Sequence, residues 1–369
     1  MTATRARGRR ERKAPTILDV AAAAGVSKST VSNVVRGVEV SEATRDRVLR
    51  AIERLNYKPN AIARQFVKQR TTILGVLVGD LSNPYYAQMA QVAERAAFGS
   101  GYTTMFCNIE GEENIAVAGV EALLEHRVAG IVFLAFSSRT SQLEDALKRA
   151  GVPIVFLGLR EEWGDSVGPQ DTQGGRLATE HLLGLGHKRI AYVRTPLVER
   201  GSDRARCAGY RAAMRKAGAT ALTPFHWEPG TDSVRVGRET VELATALRQP
   251  DGPTALFVSN DVGAIAMIDT CETIGFDVPG KVSIVGFDDI ALAGLHRISL
   301  TTVAQSLDFQ VERAVALLMG RIENPRIEPR HESVPVELKL RDSTAPPPRR
   351  AGGRPRTATR SAHGVNTDV

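Results

Sequence analysis

Lys28, Ser29, Ser32, Asn33 and Arg36 fall on one side of a helical wheel drawn over SKSTVSNVVR, and Val31, Val34 and Val35 fall on the other. Hydroxyls, an amide and cationic donors in that arrangement can hydrogen-bond base edges in the major groove of DNA. Such a helix needs a second one to deliver it. TILDVAAAAG supplies it: Ile17, Val20, Ala21 and Ala24 make an apolar stripe, Thr16 and Asp19 approximate a capping box, and Gly25 ends the helix. Ser27 then caps the next helix, with Thr30 three residues on. Two helices joined by so short a turn cross steeply, which is the arrangement of a helix-turn-helix. From Ser41 to about Asn56 a third helix follows, with Val48, Leu49, Ile52 and Leu55 on its inner face and Arg45 near its start, closing a three-helix core. Tyr57, Lys58 and Pro59 break it.

A second set of polar residues stands at the ends of apolar runs. Asp80, Asn83 and Tyr85 follow ILGVLV; Arg200, Arg204 and Arg206 follow RIAYV; Asn260 and Asp261 follow ALFVS; Asp288 and Asp289 follow VSIVGF. These runs alternate with helical patterns, and the alternation starts again after residue 170, so two lobes are expected, each a parallel sheet covered on both faces. LTTVAQS and a helix from Leu307 are expected to cross back between lobes, and the strands near ESVPVELKLR to complete the sheets. Open parallel sheets bind ligands beyond the carboxyl ends of their strands, which puts the polar set in the cleft between lobes. Acids and amides beside arginines suit a sugar-like polyol, because each hydroxyl both donates and accepts a hydrogen bond. For Asp261 and Asp289, helix capping is an equal alternative.

Composition excludes several classes. With 369 residues the chain exceeds one ordinary domain, and 43% hydrophobic residues provide a core. A net charge of +7 suits an anionic partner. Cys107, Cys207 and Cys271 are widely spaced, which argues for reduced thiols and against a disulfide framework or a metal site. No apolar run reaches membrane-spanning length and no signal-type segment follows the charged N-terminus, so no membrane partner and a cytoplasmic location are expected. GFDVPGK at 275–281 has Val282 where a phosphate-binding loop needs Ser or Thr, and GLGH at 184–187 lies in the wrong order for a dinucleotide fingerprint. GxSxG and HExxH are absent, and neither an enzyme activity nor a cofactor is expected.

DVAAAAGVSKSTVSNVVRG followed by VSEATRDRVLRAIERLNYKPNAIARQF resembles the DNA-binding headpiece of the LacI/GalR transcriptional regulators. The strand-helix repeat beyond it resembles the periplasmic-binding-protein-like domain of the same family, through SND at 259–261, VGFDD at 285–289, Arg206 before CAGY and Asp171 opening DTQGG. The resemblance implies a small all-α helix-turn-helix domain followed by a bilobed α/β domain with two parallel sheets. It also implies a hinge helix over Asn60–Val67, ordered on operator DNA, in which Asn60, Ala61 and Arg64 match the pattern and Phe66 stands at the minor-groove wedge in place of leucine. Packing of Phe66 against the large domain is the alternative. The expected DNA contacts are Thr16, Ser27, Lys28, Ser29, Thr30, Ser32, Asn33, Arg36, Arg45, Tyr57 and the hinge residues. For the effector they are Asp80, Asn83, Tyr85, Arg204, Arg206, Asn260 and Asp288. Gly158 and Thr172 depart from an Asp and an Asn common in the family, which sets this cleft apart from a typical sugar site.

The expected organisation is a basic arm at 1–15, a helix-turn-helix domain at 16–58, a hinge and linker at 59–70, a bilobed effector-binding and dimerisation domain at 71–342 and a basic Pro/Gly-rich tail at 343–369. Both ends are read as disordered, although the arm's arginines could add phosphate contacts. No leucine heptads appear in the tail, so a homodimer is expected on double-stranded operator DNA, controlled by a small sugar-like effector. A solute-binding protein of periplasmic type is the alternative function.

Overall fold

Eight residues cannot hold an isolated helix in water, so α1 (Ile17–Ala24) and α2 (Lys28–Val35) depend on their neighbour α3 (Glu42–Leu55). Val20, Ala21, Ala24, Val31, Val34, Val48 and Ala51 are buried together where the three meet. Leu49 departs from expectation. It is 45% exposed, because the inner face of α3 runs through Val48, Ala51 and Ile52, and Leu49 is turned about 100° from Val48. A computed structural model describes residues 15–35, 38–57, 71–109, 112–134, 141–195, 200–226 and 238–348. Residues 16–57 belong to one compact unit, and the chain from Ile73 onward forms another.

In the second unit, β1 (Ile73–Val78) pairs in parallel with β2 (Thr103–Asn108) and β3 (Gly130–Leu134), and β3 with β4 (Ile154–Leu157). Beyond β4 lie β5 (Asp165–Pro169) and, from far along the chain, β11 (His331–Val334), in the order β11-β5-β4-β3-β1-β2. The second sheet is β12-β10-β9-β8-β6-β7, built from β6 (Ile190–Arg194), β7 (Phe225–His226), β8 (Ala255–Val258), β9 (Ser283–Asp288), β10 (Thr301–Ala304) and β12 (Glu337–Lys339). Among the described strands only β12 runs antiparallel to its neighbour. Successive strand side chains point to opposite faces, so Leu74, Val76 and Val78 pack under one helical layer and Leu77 under the other.

Helices α4 (Pro84–Gly99), α5 (Glu113–Glu125) and α6 (Ser141–Arg149) follow β1, β2 and β3. In the second lobe α7 (Asp171–Gly184), α8 (Arg200–Lys216), α9 (Arg238–Arg248) and α10 (Asp261–Thr273) do the same work. Helix α11 (Leu307–Glu323) leaves the second sheet and buries Val311, Val315 and Leu318 against the first. The chain thus crosses between lobes at 169–171, 304–307 and 334–337, as the sequence pattern predicts for its last segments.

Two further features differ from expectation. Strand β5 is short and carries Gly168 and Pro169, so its sequence does not read as a strand. The chain also stays packed beyond residue 342. Ser343 is buried, its hydroxyl donates to the Ile284 carbonyl at 2.6 Å, and the Ala345 N–H donates to Ser283 Oγ at 3.0 Å. Those contacts satisfy polar groups at the start of β9, which composition cannot reveal. Among the described residues no helix is long and apolar enough to cross a membrane.

Candidate functional site

Two separate surfaces carry the polar residues of interest. At the first, Thr16 closes a reciprocal cap: its N–H donates to Asp19 Oδ2 at 2.7 Å and the Asp19 N–H donates to Thr16 Oγ1 at 3.4 Å. Gly25 then turns the chain with φ of 62°, where a side chain would be strained. Ser27 caps α2 by accepting the Thr30 N–H at 3.1 Å, and its hydroxyl lies 2.7 Å from Ser29 Oγ and 2.8 Å from Thr30 Oγ1. With Val31 and Val34 buried, Lys28 and Ser29 stand exposed at the start of α2, and Ser32 and Asn33 are half-buried one turn on. Arg45 is exposed on α3, and Tyr57 packs beside the three-helix core. Arg36 and the hinge residues Asn60, Ala61, Arg64 and Phe66 lie outside the described residues, as do most of the N-terminal arm and the tail from residue 349.

The second surface is built around a buried arginine. Helices α7 and α8 approach closely because Gly175 and Gly209 face the opposing backbones: a Cβ on Gly175 would lie 2.1 Å from the Arg206 carbonyl oxygen, and one on Gly209 2.1 Å from that of Thr172. That crossing sets Arg206 against Asp171, with Nε donating to Oδ1 at 2.8 Å. Arg206 Nη1 donates to the Ser259 carbonyl at 2.6 Å and lies 3.6 Å from Asp288 Oδ1, while the guanidinium stacks 3.7 Å from the centre of the Phe287 ring. Burial opposes the charge, but the two carboxylates outweigh it, and the arginine's pKa lies above its ordinary value. An unpaired buried ion would cost several kcal/mol, so Asp171 and Asp288 are what permit Arg206 to sit there.

Asp288 is itself buried, which pushes its pKa up, while the Arg206 guanidinium 3.6 Å away and the Gln305 amide favour its charged form. Gln305 Nε2 donates to its Oδ1, and Gln310 Nε2 donates to the Gln305 carbonyl. From the first lobe Tyr85 reaches the same group: its hydroxyl donates to Gln305 Oε1 at 3.4 Å, and its ring packs against hydrophobic clusters of both lobes. Burial, then the nearby Asp288 charge, raises the Tyr85 pKa, so the phenol keeps its proton.

Not every expected residue joins this group. Asp80 accepts the Ser82 N–H and hydroxyl at 2.8 Å each, which shapes the loop after β1, and Asn83 caps α4 by accepting the Tyr85 N–H at 3.0 Å. Asn260 caps α10, its oxygen accepting from the Gly263 N–H and the Thr195 hydroxyl at 3.1 Å each, so a ligand would meet only its NH2 group. Arg204 is exposed, because it lies about 200° around α8 from Arg206. Arg200 begins α8, and its side chain lies outside the described residues. Asp261 is a buried support: it accepts the Thr302 hydroxyl at 2.5 Å and the Ile290 N–H at 3.0 Å. Gln305 and Phe287 were not anticipated, although Gln305 follows β10 just as the other candidates follow their strands.

Residues 16–60 match the family described as bacterial regulatory proteins, lacI family, and residues 179–344 match the periplasmic binding protein-like domain. The chain is 35% identical over 322 residues to the ribose operon repressor of Escherichia coli strain K12, covering 85% of this chain and 94% of that protein. The chain belongs to the lacI family. It is also 33% identical over 336 residues to the HTH-type transcriptional repressor PurR of Photobacterium profundum, covering 89% of this chain and 98% of the relative. Its fold matches the lac repressor dimer bound to operator and the anti-inducer ONPF with a TM-score of 0.78, at 26% identity over 90% of this chain and 100% of that one. A LacI family regulator from Enterococcus faecium with bound ribose matches with a TM-score of 0.63, at 27% identity over 74% of this chain and 99% of that one. This lacI family member is a DNA-binding transcriptional repressor under ligand control.

Proposed function

We propose that the protein binds a pseudo-palindromic operator as a homodimer and alters its operator affinity when a sugar, D-ribose first among the candidates, enters the cleft over Arg206 and Asp288. The observation that carries the effector class is the buried Arg206 held between Asp171 and Asp288 beneath Tyr85. A fixed cationic donor next to a carboxylate acceptor suits adjacent hydroxyls, which need both, and an aromatic ring suits the apolar face of a sugar. The ribose operon repressor and the ribose-bound regulator among the relatives support the same class. On the DNA side, Lys28, Ser29 and Asn33 meet base edges, while Phe66 with Asn60, Ala61 and Arg64 serves the minor groove. Each subunit offers one recognition helix, so half-sites lie about 10 bp apart, centre to centre, or a multiple of that. The protein works beside the chromosome in the cytoplasm and carries out no catalysis.

A thermal-shift screen of the full-length protein against D-ribose, other pentoses, hexoses and nucleosides, followed by operator titration with each hit, tests the proposal. Stabilisation by a pentose that also changes operator affinity is the expected result. Response to nucleosides alone would overturn the sugar assignment, and selected binding sites lacking an inverted repeat would overturn the dimeric one.

A further inference from the structure

The turn that carries Asp288 is conformationally costly. Asp288 has φ of 131° and Asp289 φ of 58°, two consecutive non-glycine residues in a region of backbone space that L side chains rarely adopt. Such backbone persists only where surrounding contacts over-determine it. Three side chains hold it: Gln305 donates to Asp288, Asp261 accepts the Ile290 N–H at 3.0 Å, and Arg341 Nη2 donates to Asp289 Oδ1 at 2.6 Å.

The third tether comes from the far end of the chain, two residues beyond β12. Arg341 is fixed at its base, where its N–H donates to Thr301 Oγ1 at 3.0 Å and its carbonyl accepts from the same hydroxyl at 3.0 Å. Its other terminal nitrogen, Nη1, donates to the Leu300 carbonyl at 2.7 Å. The guanidinium therefore bridges the start of β10 and the turn after β9. A planar fork reaches both acceptors at once, and a lysine ammonium on a flexible stem does not present the same fork. Arg341 itself stands off the Arg206 group; among the described residues none of its hydrogen bonds or ion pairs is to Arg206, Asp171 or Tyr85.

We propose that Arg341 is a positioning residue for effector binding: by pinning Asp289 in the left-handed region it fixes the adjoining Asp288 carboxylate against Gln305 and Arg206. Without the pin, Asp289 relaxes toward ordinary backbone angles and carries Asp288 with it. The proposal rests on Asp288 being an effector contact, and its test separates the two claims. Glycine at 289 needs no pin, because it adopts positive φ freely.

The experiment uses the full-length chain as wild type, Arg341→Met, Arg341→Lys, Asp289→Ala, Asp289→Gly and the Arg341→Met/Asp289→Gly double variant. Amide hydrogen exchange across residues 286–292 is read without ligand, and D-ribose affinity is read by calorimetry. Arg341→Met and Asp289→Ala should each speed exchange at Ile290 and weaken ribose binding by about tenfold or more, a loss of about 1.4 kcal/mol. Arg341→Lys should recover part of it. The double variant should return to within about threefold of Asp289→Gly alone, roughly 0.6 kcal/mol. Equal loss in Asp289→Ala and Asp289→Gly, or no rescue in the double variant, would overturn the positioning role, since a merely structural ion pair is lost in both. If wild type fails to bind ribose, the effector assignment fails and the exchange pattern alone decides the role of Arg341. Should Arg341→Met not fold, the comparison of Asp289→Ala with Asp289→Gly carries the test.

Discussion

Arg206 and its two carboxylates are coupled tightly enough that removing either acid has distinct consequences. Asp171→Ala leaves a buried guanidinium short of its closest counter-charge, so unfolding in urea should show a loss of about 3–5 kcal/mol. His187 gives a pH prediction with a definite sign. Its Nε2 lies 2.8 Å from the Ala345 carbonyl, which can only accept, so Nε2 carries the proton and Nδ1, 2.8 Å from the Thr254 hydroxyl, accepts. Burial lowers the His187 pKa below its ordinary value, so the unfolded chain takes up the proton first on acidification. Its stabilising contribution is therefore present above about pH 6.5 and is lost as the pH falls through the lowered value. Asp261 has the opposite slope. Burial pushes its pKa up to about 6, so it favours the folded state most at low pH and loses that contribution as the pH rises through about 6. Urea melts of wild type and His187→Gln at neutral and mildly acidic pH should show the acid-induced loss shrinking in the variant. An unchanged difference would remove His187 from the docking of residues 343–348.

Helix crossings decide whether those side chains meet at all. Gly209→Ala would force a methyl onto the Thr172 carbonyl, moving α7 from α8 and Asp171 from Arg206. Overpacking of this kind should cost about 1–3 kcal/mol in unfolding measurements, and effector affinity should fall with it. In the headpiece, Ser27→Ala removes the α2 cap and should destabilise that domain by about 1 kcal/mol while leaving the preferred DNA sequence unchanged. Ser29→Ala or Asn33→Ala should instead change which bases are selected, as read by binding-site selection. Much of this was legible in the sequence because helical stripes, Gly25 and apolar strand runs are local signals. Strand β5 was not, since DSVGP lacks a β-branched run and is a strand only because β4 and β11 flank it. Leu49 looked like core because residue type does not report which of two adjacent positions faces inward. Ser343–Ala345 read as tail because their partners, Ser283, Ile284 and His187, lie about 60 to 160 residues away. Strand-end logic picks out Arg206 and Asp288, which the structure brings together, but it cannot separate them from Asp80 or Arg204, whose surroundings depend on a loop and a helical phase.

At the scale of the molecule, the proposed effector site around Arg206 and helix α2, proposed to read DNA, reside in separate compact units, so control requires a ligand that distinguishes two arrangements of the dimer. The proposed effector site is suited to report lobe closure, because Tyr85 from one lobe is hydrogen-bonded to Gln305, which in turn holds Asp288. A ligand that bound both arrangements equally would shift nothing, however tightly it bound. Removing the Asp288 carboxylate should therefore abolish the response to effector while leaving DNA recognition in place, since the recognition helix is untouched. The most direct measurement is operator affinity at one fixed salt concentration, with and without saturating D-ribose, for wild type and Asp288→Asn, salt being fixed because phosphate contacts make affinity depend on it. Ribose should change wild-type operator affinity by about tenfold or more, equivalent to about 1.4 kcal/mol of coupling, and should leave the variant unchanged, with both proteins equal in its absence. Identical wild-type operator affinity with and without ribose, where calorimetry confirms that ribose is bound, would contradict ligand control through this cleft.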